Sequence, residues 1–293
     1  MAKQAKAATA SASPWPAGKT CGACISVNLD AESVDLHEAR KDNLYGRYSY
    51  GRYGMRAGVW RLLDVFRHQG VKATFFVPAL DAENHPDVLD AILKDGHEVA
   101  ARGYAFENHA RLGAQERETL ARAHEVLIRM TGSAPVGWRA PFGVLSKDTF
   151  GHLAALGYLY DSSFQDDDYP YVVEAAPGKP LVELPTFQVL DDAPFYEGRH
   201  PHNRVLKTWK EEFDAMYAAG HFVNMTLHPR GDRGSGRASR ARVVDEFLTY
   251  IARRPGVHLT TCREMASWWK DAHPQTEPFA LGIAPFDARL ARG

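Results

Sequence analysis

Six polar residues stand where this chain could do chemistry: Asn28, Asp30, Arg102, Arg139, Asp161 and His228. Each ends or follows a short apolar run of β type, the place from which a strand presents a side chain to a site. His228 follows the run 222–227, and Pro229 fixes the turn after it. A histidine titrating near neutrality can pass a proton to a leaving nitrogen. Asp161 is the candidate to orient it. Asp30 can be a metal ligand, a base or one half of an ion pair. Residues two apart in a strand share a face, so Asn28 and Asp30 point together and Glu32 can join them. A Zn²⁺ site needs three or four donors, of which Asp30 and Glu32 supply two. Arg102 can bind a substrate carboxylate or polarise a carbonyl. Phe106, four residues on, has no donor atom and either packs in the core or stacks on a substrate.

The elements that must position these groups alternate along the chain. Strands are expected at 23–27, 73–77, 98–101, 136–139, 159–162, 181–185, 222–227 and 257–260. Helices are expected at 55–69, 85–94, 114–130, 147–156, 205–219, 239–252 and 264–269, with Gly70 and Gly157 as stops and Ser239 as an N-cap. Repeated strand–helix alternation implies a parallel sheet, closed or open. No GxGxxG follows the first strand and no Walker lysine motif is present, so a nucleotide-binding open sheet loses its usual support. The expected fold is therefore α/β, a (β/α) barrel with its site at the strand C-termini.

Composition narrows the setting. The 293 residues suffice for one large domain: a flexible tail over 1–20, a barrel over 21–270 and a polar extension over 271–293. A formal net charge of -1 gives no field favouring nucleic acid or an anionic membrane. No run of eighteen apolar residues spans a bilayer, and no apolar leader of secretory type opens the chain. Three cysteines suit a reducing cytoplasm. Cys21 and Cys24 form a CxxC that runs into a strand rather than opening a helix, which favours a structural role. Asp166, Asp167 and Asp168 read as a solvated loop, with pocket lining as the lesser reading.

Several ordered motifs carry a family resemblance. They are Asn28-Leu29-Asp30-Ala31-Glu32, Tyr53-Gly54-Met55-Arg56-Ala57-Gly58-Val59, Lys72-Ala73-Thr74-Phe75-Phe76-Val77-Pro78 and Gly96-His97-Glu98, followed by Trp138-Arg139-Ala140-Pro141, Tyr160-Asp161-Ser162-Ser163 and Leu227-His228-Pro229. Together they resemble the polysaccharide deacetylase superfamily (carbohydrate esterase family 4, the NodB-homology fold). The branch is that of peptidoglycan-deacetylase-like proteins, cyclic imide hydrolases and an allantoinase. The resemblance implies a distorted (β/α) barrel of about seven parallel strands and hydrolysis of a C–N bond by a metal-activated water, with Asp-x-Asp supplying a base and then a ligand, and histidines at the positions of Arg102 and Phe106. It implies that Arg139 pairs with the base and that His228 is the general acid. Segment 191–195 resembles a branch segment that shapes the substrate pocket.

Here the base position holds Asn28, and Arg102 and Phe106 replace the two histidines. No metal is therefore expected; Zn²⁺ stays the open alternative, with the family ligands missing. Arg102 is expected to pair with Asp30 and stand in for the missing cation's charge. Two unit charges near 4 Å interact by about 4 kcal/mol at an effective dielectric of about 20, before desolvation. The leading expectation is a hydrolase of a small amide, cyclic amide or sugar-derived substrate. In it His228 works as acid/base, Asp30 or Glu32 as carboxylate, and Arg102, Arg139, Asn28 and Phe106 hold substrate. The alternative is an inactive relative that binds a small ligand or partner. The third reading is a metal-dependent deacetylase with a relocated site, for example through His109. Branch members suggest a homo-oligomer, dimer or tetramer.

Overall fold

The computed structural model describes residues 13–39 and 49–278. Ten strands form one curled sheet: β1 (Cys21–Asn28), β2 (Thr74–Val77), β3 (Glu98–Ala101), β4 (Gly137–Trp138), β5 (Tyr160–Asp161), β6 (Tyr171–Ala176), β7 (Lys179–Glu183), β8 (Val223–Leu227), β9 (Val257–Thr260) and β10 (Thr276–Pro278). The order is β10-β6-β7-β5-β4-β3-β2-β1-β8, with β9 also on β1. Among the described residues, only β6 and β7 pair in antiparallel fashion. The expected distorted barrel is thus a mixed half-barrel. Its β8 edge meets the far side through one parallel bridge, Thr226 to Asp191.

The parallel strands are covered on both faces, so they read as apolar runs rather than alternations. All eight residues of β1 are buried, as are all of β2, β3 and β8. The helix Val59–Gln69 buries Val59, Leu62, Leu63 and Phe66 and ends at Gly70 in the left-handed conformation. Gly58 and Gly236 have a positional reason: a Cβ on either would lie 1.8 Å from the Pro229 carbonyl oxygen. Those two glycines let the chain close tightly around the turn that carries His228.

The structure departs from the expected elements at four places. Strand β6 lies in a segment for which no element was expected; only Val172 and Val173 in it are buried. Ser239 lies inside the helix Ala238–Ala252; Arg237 is the N-cap, with no side-chain cap bond. Residues 13–20 are not a tail: Trp15 is buried among Phe222, Trp268 and Trp269 and donates to the Gly220 carbonyl at 2.7 Å. Within the 271–293 extension, Thr276–Pro278 adds a strand to β6; the rest of that extension, and residues 1–12, lie outside the described residues. Cys21, Cys24 and Cys262 are all buried and free, and burial raises the Cys21 thiol to about 11.

Candidate active site

The strand ends converge on a cavity of about 400 Å³, whose walls include Asn28, Asp30, Arg102, Phe106, Arg139 and His228 but not Asp161. Arg102 follows β3 directly and turns its guanidinium sideways onto Asp30. Its Nε donates to Asp30 Oδ1 at 2.7 Å and its Nη2 to Oδ2 at 3.3 Å. A third N–H reaches the Ala140 carbonyl at 3.1 Å. Three of the five guanidinium N–H groups are thereby accounted for. Burial opposes the Asp30 charge, but Arg102 and then His228 outweigh it and hold its carboxyl below the usual range.

His228 is oriented by a residue the sequence did not single out for that role. Its Nδ1 donates to Asp192 Oδ1 at 2.7 Å. Asp192 is buried and also accepts the His228 backbone N–H at 3.0 Å and that of Ser235 at 2.7 Å. Asp161, the expected orienter, makes no such contact. It accepts from the Ser163 hydroxyl at 2.8 Å and the Ser163 N–H at 3.0 Å, and sits beside Glu183. Burial and then the Asp161 charge push the Glu183 carboxyl well up. Glu32 is also displaced. Strand β1 ends at Asn28, and a helix begins at Glu32; the period-two alternation stops before reaching it. Its carboxylate faces His85 Nε2 at 2.7 Å instead of the cavity.

Asn28 sits between two partners that fix its amide. Arg139 Nη1 donates to Oδ1 at 3.0 Å, since a guanidinium can only donate. Nδ2 therefore faces His228 Nε2, at 3.1 Å, and that nitrogen must accept. The proton of a neutral ring then lies on Nδ1. Arg139 turns inward: it donates to Ser26, to the Ser162 carbonyl and to the Ser162 hydroxyl, and covers the Phe76 ring at 4.0 Å. Burial lowers its pKa to about 10. Its geometry holds Asn28 rather than a ligand. For His228, burial opposes the charged ring, yet Asp192, Asp191 and Asp30 raise its pKa overall. The amide of Asn28 pulls the other way, because a protonated Nε2 would face a second donor.

The residue pattern described as polysaccharide deacetylase matches residues 48–160. Over 285 residues the chain is 28% identical to a peptidoglycan deacetylase of Helicobacter pylori, covering 85% of this chain and 96% of that one. The solved structure of a protein from Mycobacterium smegmatis assigned to the polysaccharide deacetylases is 33% identical, superposes with a TM-score of 0.82, and covers 91% of this chain and 95% of its own. The chain belongs to the polysaccharide deacetylase family. The structure of the PuuE allantoinase is similar as well, at 28% identity and a TM-score of 0.80 over 92% of this chain and 96% of that one.

Family membership raises the question of a metal, and the donor sets answer it poorly. Both Asp30 oxygens are engaged by Arg102, and Phe106 offers nothing in place of a ligand. His109 is no substitute: it is buried and its Nδ1 faces Glu116 at 3.3 Å. Among the described residues, one group of three donors stands close enough to share an ion: Asp191, Asp192 and His228, within 4.8 Å of one another. There the Asp192 carboxylate is already satisfied by two backbone N–H groups and the imidazole N–H. That is the pattern of a carboxylate orienting a ring, and the set does not fit ligation. Asp191 caps the helix Asp192–Glu197 by accepting from Ala193 and lines the cavity. Asp166, Asp167 and Asp168 are exposed and line no part of it.

Proposed function

We propose that this polysaccharide deacetylase relative hydrolyses a non-peptide C–N bond in a small amide without a metal at Asp30. The observation that carries the reading is the buried His228–Asp192 pair, which keeps the proton of a neutral ring on Nδ1 and leaves Nε2 unprotonated at the cavity wall, next to a carboxylate–guanidinium pair. An aspartate on Nδ1 fixes the tautomer and stabilises the imidazolium that forms when Nε2 takes a proton. In the proposed reaction a water displaces the Asn28 N–H from Nε2 and attacks the carbonyl carbon. Its proton passes to Nε2 as the C–O bond forms. The same proton then goes to the leaving nitrogen as the C–N bond breaks. The remaining N–H groups of Arg102 stabilise the oxyanion between those events. Asp30, kept ionised by Arg102, stabilises the imidazolium from the other side; its Oδ2 lies 3.7 Å from Nε2. Substrate classes come from the relatives: an acetylated amino sugar or a ureide, each small enough for the cavity.

One observation favours a second reading, ligand binding without turnover: the Asn28 amide occupies the nitrogen that must take the proton. A turnover screen of ureides, cyclic imides and acetylated amino sugars separates the two. Hydrolysis that survives chelation and drops at least about 100-fold in His228→Ala supports the first. Chelator-sensitive turnover would return the protein to metal chemistry, and bound ligand with no turnover would favour the second. No helix among the described residues is long and apolar enough to cross a membrane. The free buried cysteines fit a reducing, cytoplasmic setting. Assembly into dimers or tetramers belongs to the same proposal and is read by sedimentation.

A further inference from the structure

Among the described residues only three non-glycine positions have positive φ, and two are aromatic residues on the wall of this cavity: Phe106 at 64° and Phe142 at 59°. The left-handed region is unfavourable for a bulky residue and persists where the surroundings over-determine it. Their rings meet edge to face, with centroids 4.5 Å apart and an interplanar angle of 60°. Phe106 is buried, and the Arg102 guanidinium lies 5.2 Å from its centroid. Phe142 is 43% exposed, next to His37 at 5.0 Å. Core packing explains Phe106. It does not explain a strained, exposed phenylalanine in a cavity whose other walls are largely polar. We propose that Phe142, backed by Phe106, is a specificity-determining wall that takes the flat face of an unsaturated ring bearing the amide, while Arg102 meets the carbonyl in the plane of that ring. Flat rings present large contact area at little conformational cost, and offset or edge contacts with aromatic walls favour them. The inference rests on the hydrolase reading for its substrate but is tested by binding alone.

Two lactams of equal ring size separate flatness from hydrogen bonding: 2-pyridone, which is planar, and 2-piperidone, which is puckered. Titration by ligand-observed NMR should show the full-length protein preferring 2-pyridone. Phe142→Ala should weaken 2-pyridone by about 3- to 10-fold and leave 2-piperidone unchanged, and Phe142→Tyr should retain the preference. Phe142→Gly should bind as weakly as the alanine variant, yet raise Tm by about 2–4 °C because glycine accepts the positive φ. Equal binding of the two lactams, or equal loss of both in Phe142→Ala, would overturn the wall. Hydrolysis of an acetylated amino sugar with 2-pyridone unbound would overturn it and leave the hydrolase reading intact. Phe142-dependent binding without turnover of any amide would do the reverse.

Discussion

Replacing Arg102 with glutamine removes a guanidinium from a carboxylate that stays buried. The side chains of Arg102 and Asp30 are 7% and 2% exposed, so solvent cannot take over the lost charge. Removing one partner of a buried pair costs about 3–5 kcal/mol. At about 2–4 °C per kcal/mol, the variant should melt roughly 6–20 °C lower. The pH dependence adds a signature. In the native protein the Asp30 pKa lies below its ordinary 3.8, so its contribution is present above about pH 4 and lost as pH falls through the depressed value. In Arg102→Gln, burial is no longer outweighed by the guanidinium, and the pKa moves upward. The penalty then applies above that raised pKa and fades as the carboxyl protonates. Differential scanning calorimetry at several pH values should therefore show the melting gap narrowing from pH 7 toward pH 4. Asp30→Asn in the Arg102→Gln background should recover part of the loss, a coupling of about 0.5–3 kcal/mol. A gap below about 1 kcal/mol, or one that does not change with pH, would refute the argument that Arg102 carries the charge balance of this pocket.

Asp192→Asn should reduce turnover by about 10²- to 10⁴-fold with little change in KM, because the ring loses its tautomer rather than its contact with substrate; retained activity would remove Asp192 from the site. The acid limb of the kcat–pH profile should have its midpoint above the ordinary histidine value of 6.5, and a midpoint at or below it would contradict the three-carboxylate account. Glu32→Gln should leave kcat within about twofold, since its partner is His85; a large loss would restore Glu32 as the base. The double variant Arg102→His, Phe106→His should bind one equivalent of Zn²⁺ with Asp30 as third ligand, measured by metal analysis after dialysis, and the native protein should not.

The fold was readable because parallel strands buried on both faces leave long apolar runs that composition alone exposes. Strand β6 escaped because its burial comes from an antiparallel partner and a distant segment, not from a period in its own sequence. The same divide separates the site residues. Asp30 and Arg102 were legible as a pair, since a guanidinium at a position where the resemblance implies a metal ligand has the surviving carboxylate as its opposite charge, although β2 lies between their strands. Asp192 was not, because its hold on His228 spans thirty-six positions and depends on a short helix turning the carboxylate inward. The adjacent acidic residues were visible signals; which of the two faces the ring was not. Glu32 misled because strand alternation was extended past the residue at which the strand ends. Arg139 misled because a motif carries identity but not the direction in which a guanidinium spends its donors.

The two departures at Asn28 and Arg102 make sense together. The family pattern places two carboxylates and a divalent cation beside Arg139. This chain places one carboxylate, one guanidinium and one neutral amide there. The formal charge of the cluster is the same in both cases, so losing the cation is balanced by losing the base carboxylate and gaining the Arg102 guanidinium together. Asn28→Asp breaks that balance. The new carboxylate would sit 3.0 Å from Arg139 and 3.1 Å from Nε2 at the amide's contacts. It would accept where Asn28 donates, so Nε2 would gain a proton and hold it. The His228 pKa should rise further, seen as a later titration of its ring protons by NMR, and turnover at pH 7 should fall because the bare nitrogen is gone. A metal-free Asn28→Asp variant more active than the native protein at pH 7 would show that Asn28 impairs this site, and that the water's proton goes to a carboxylate and not to His228.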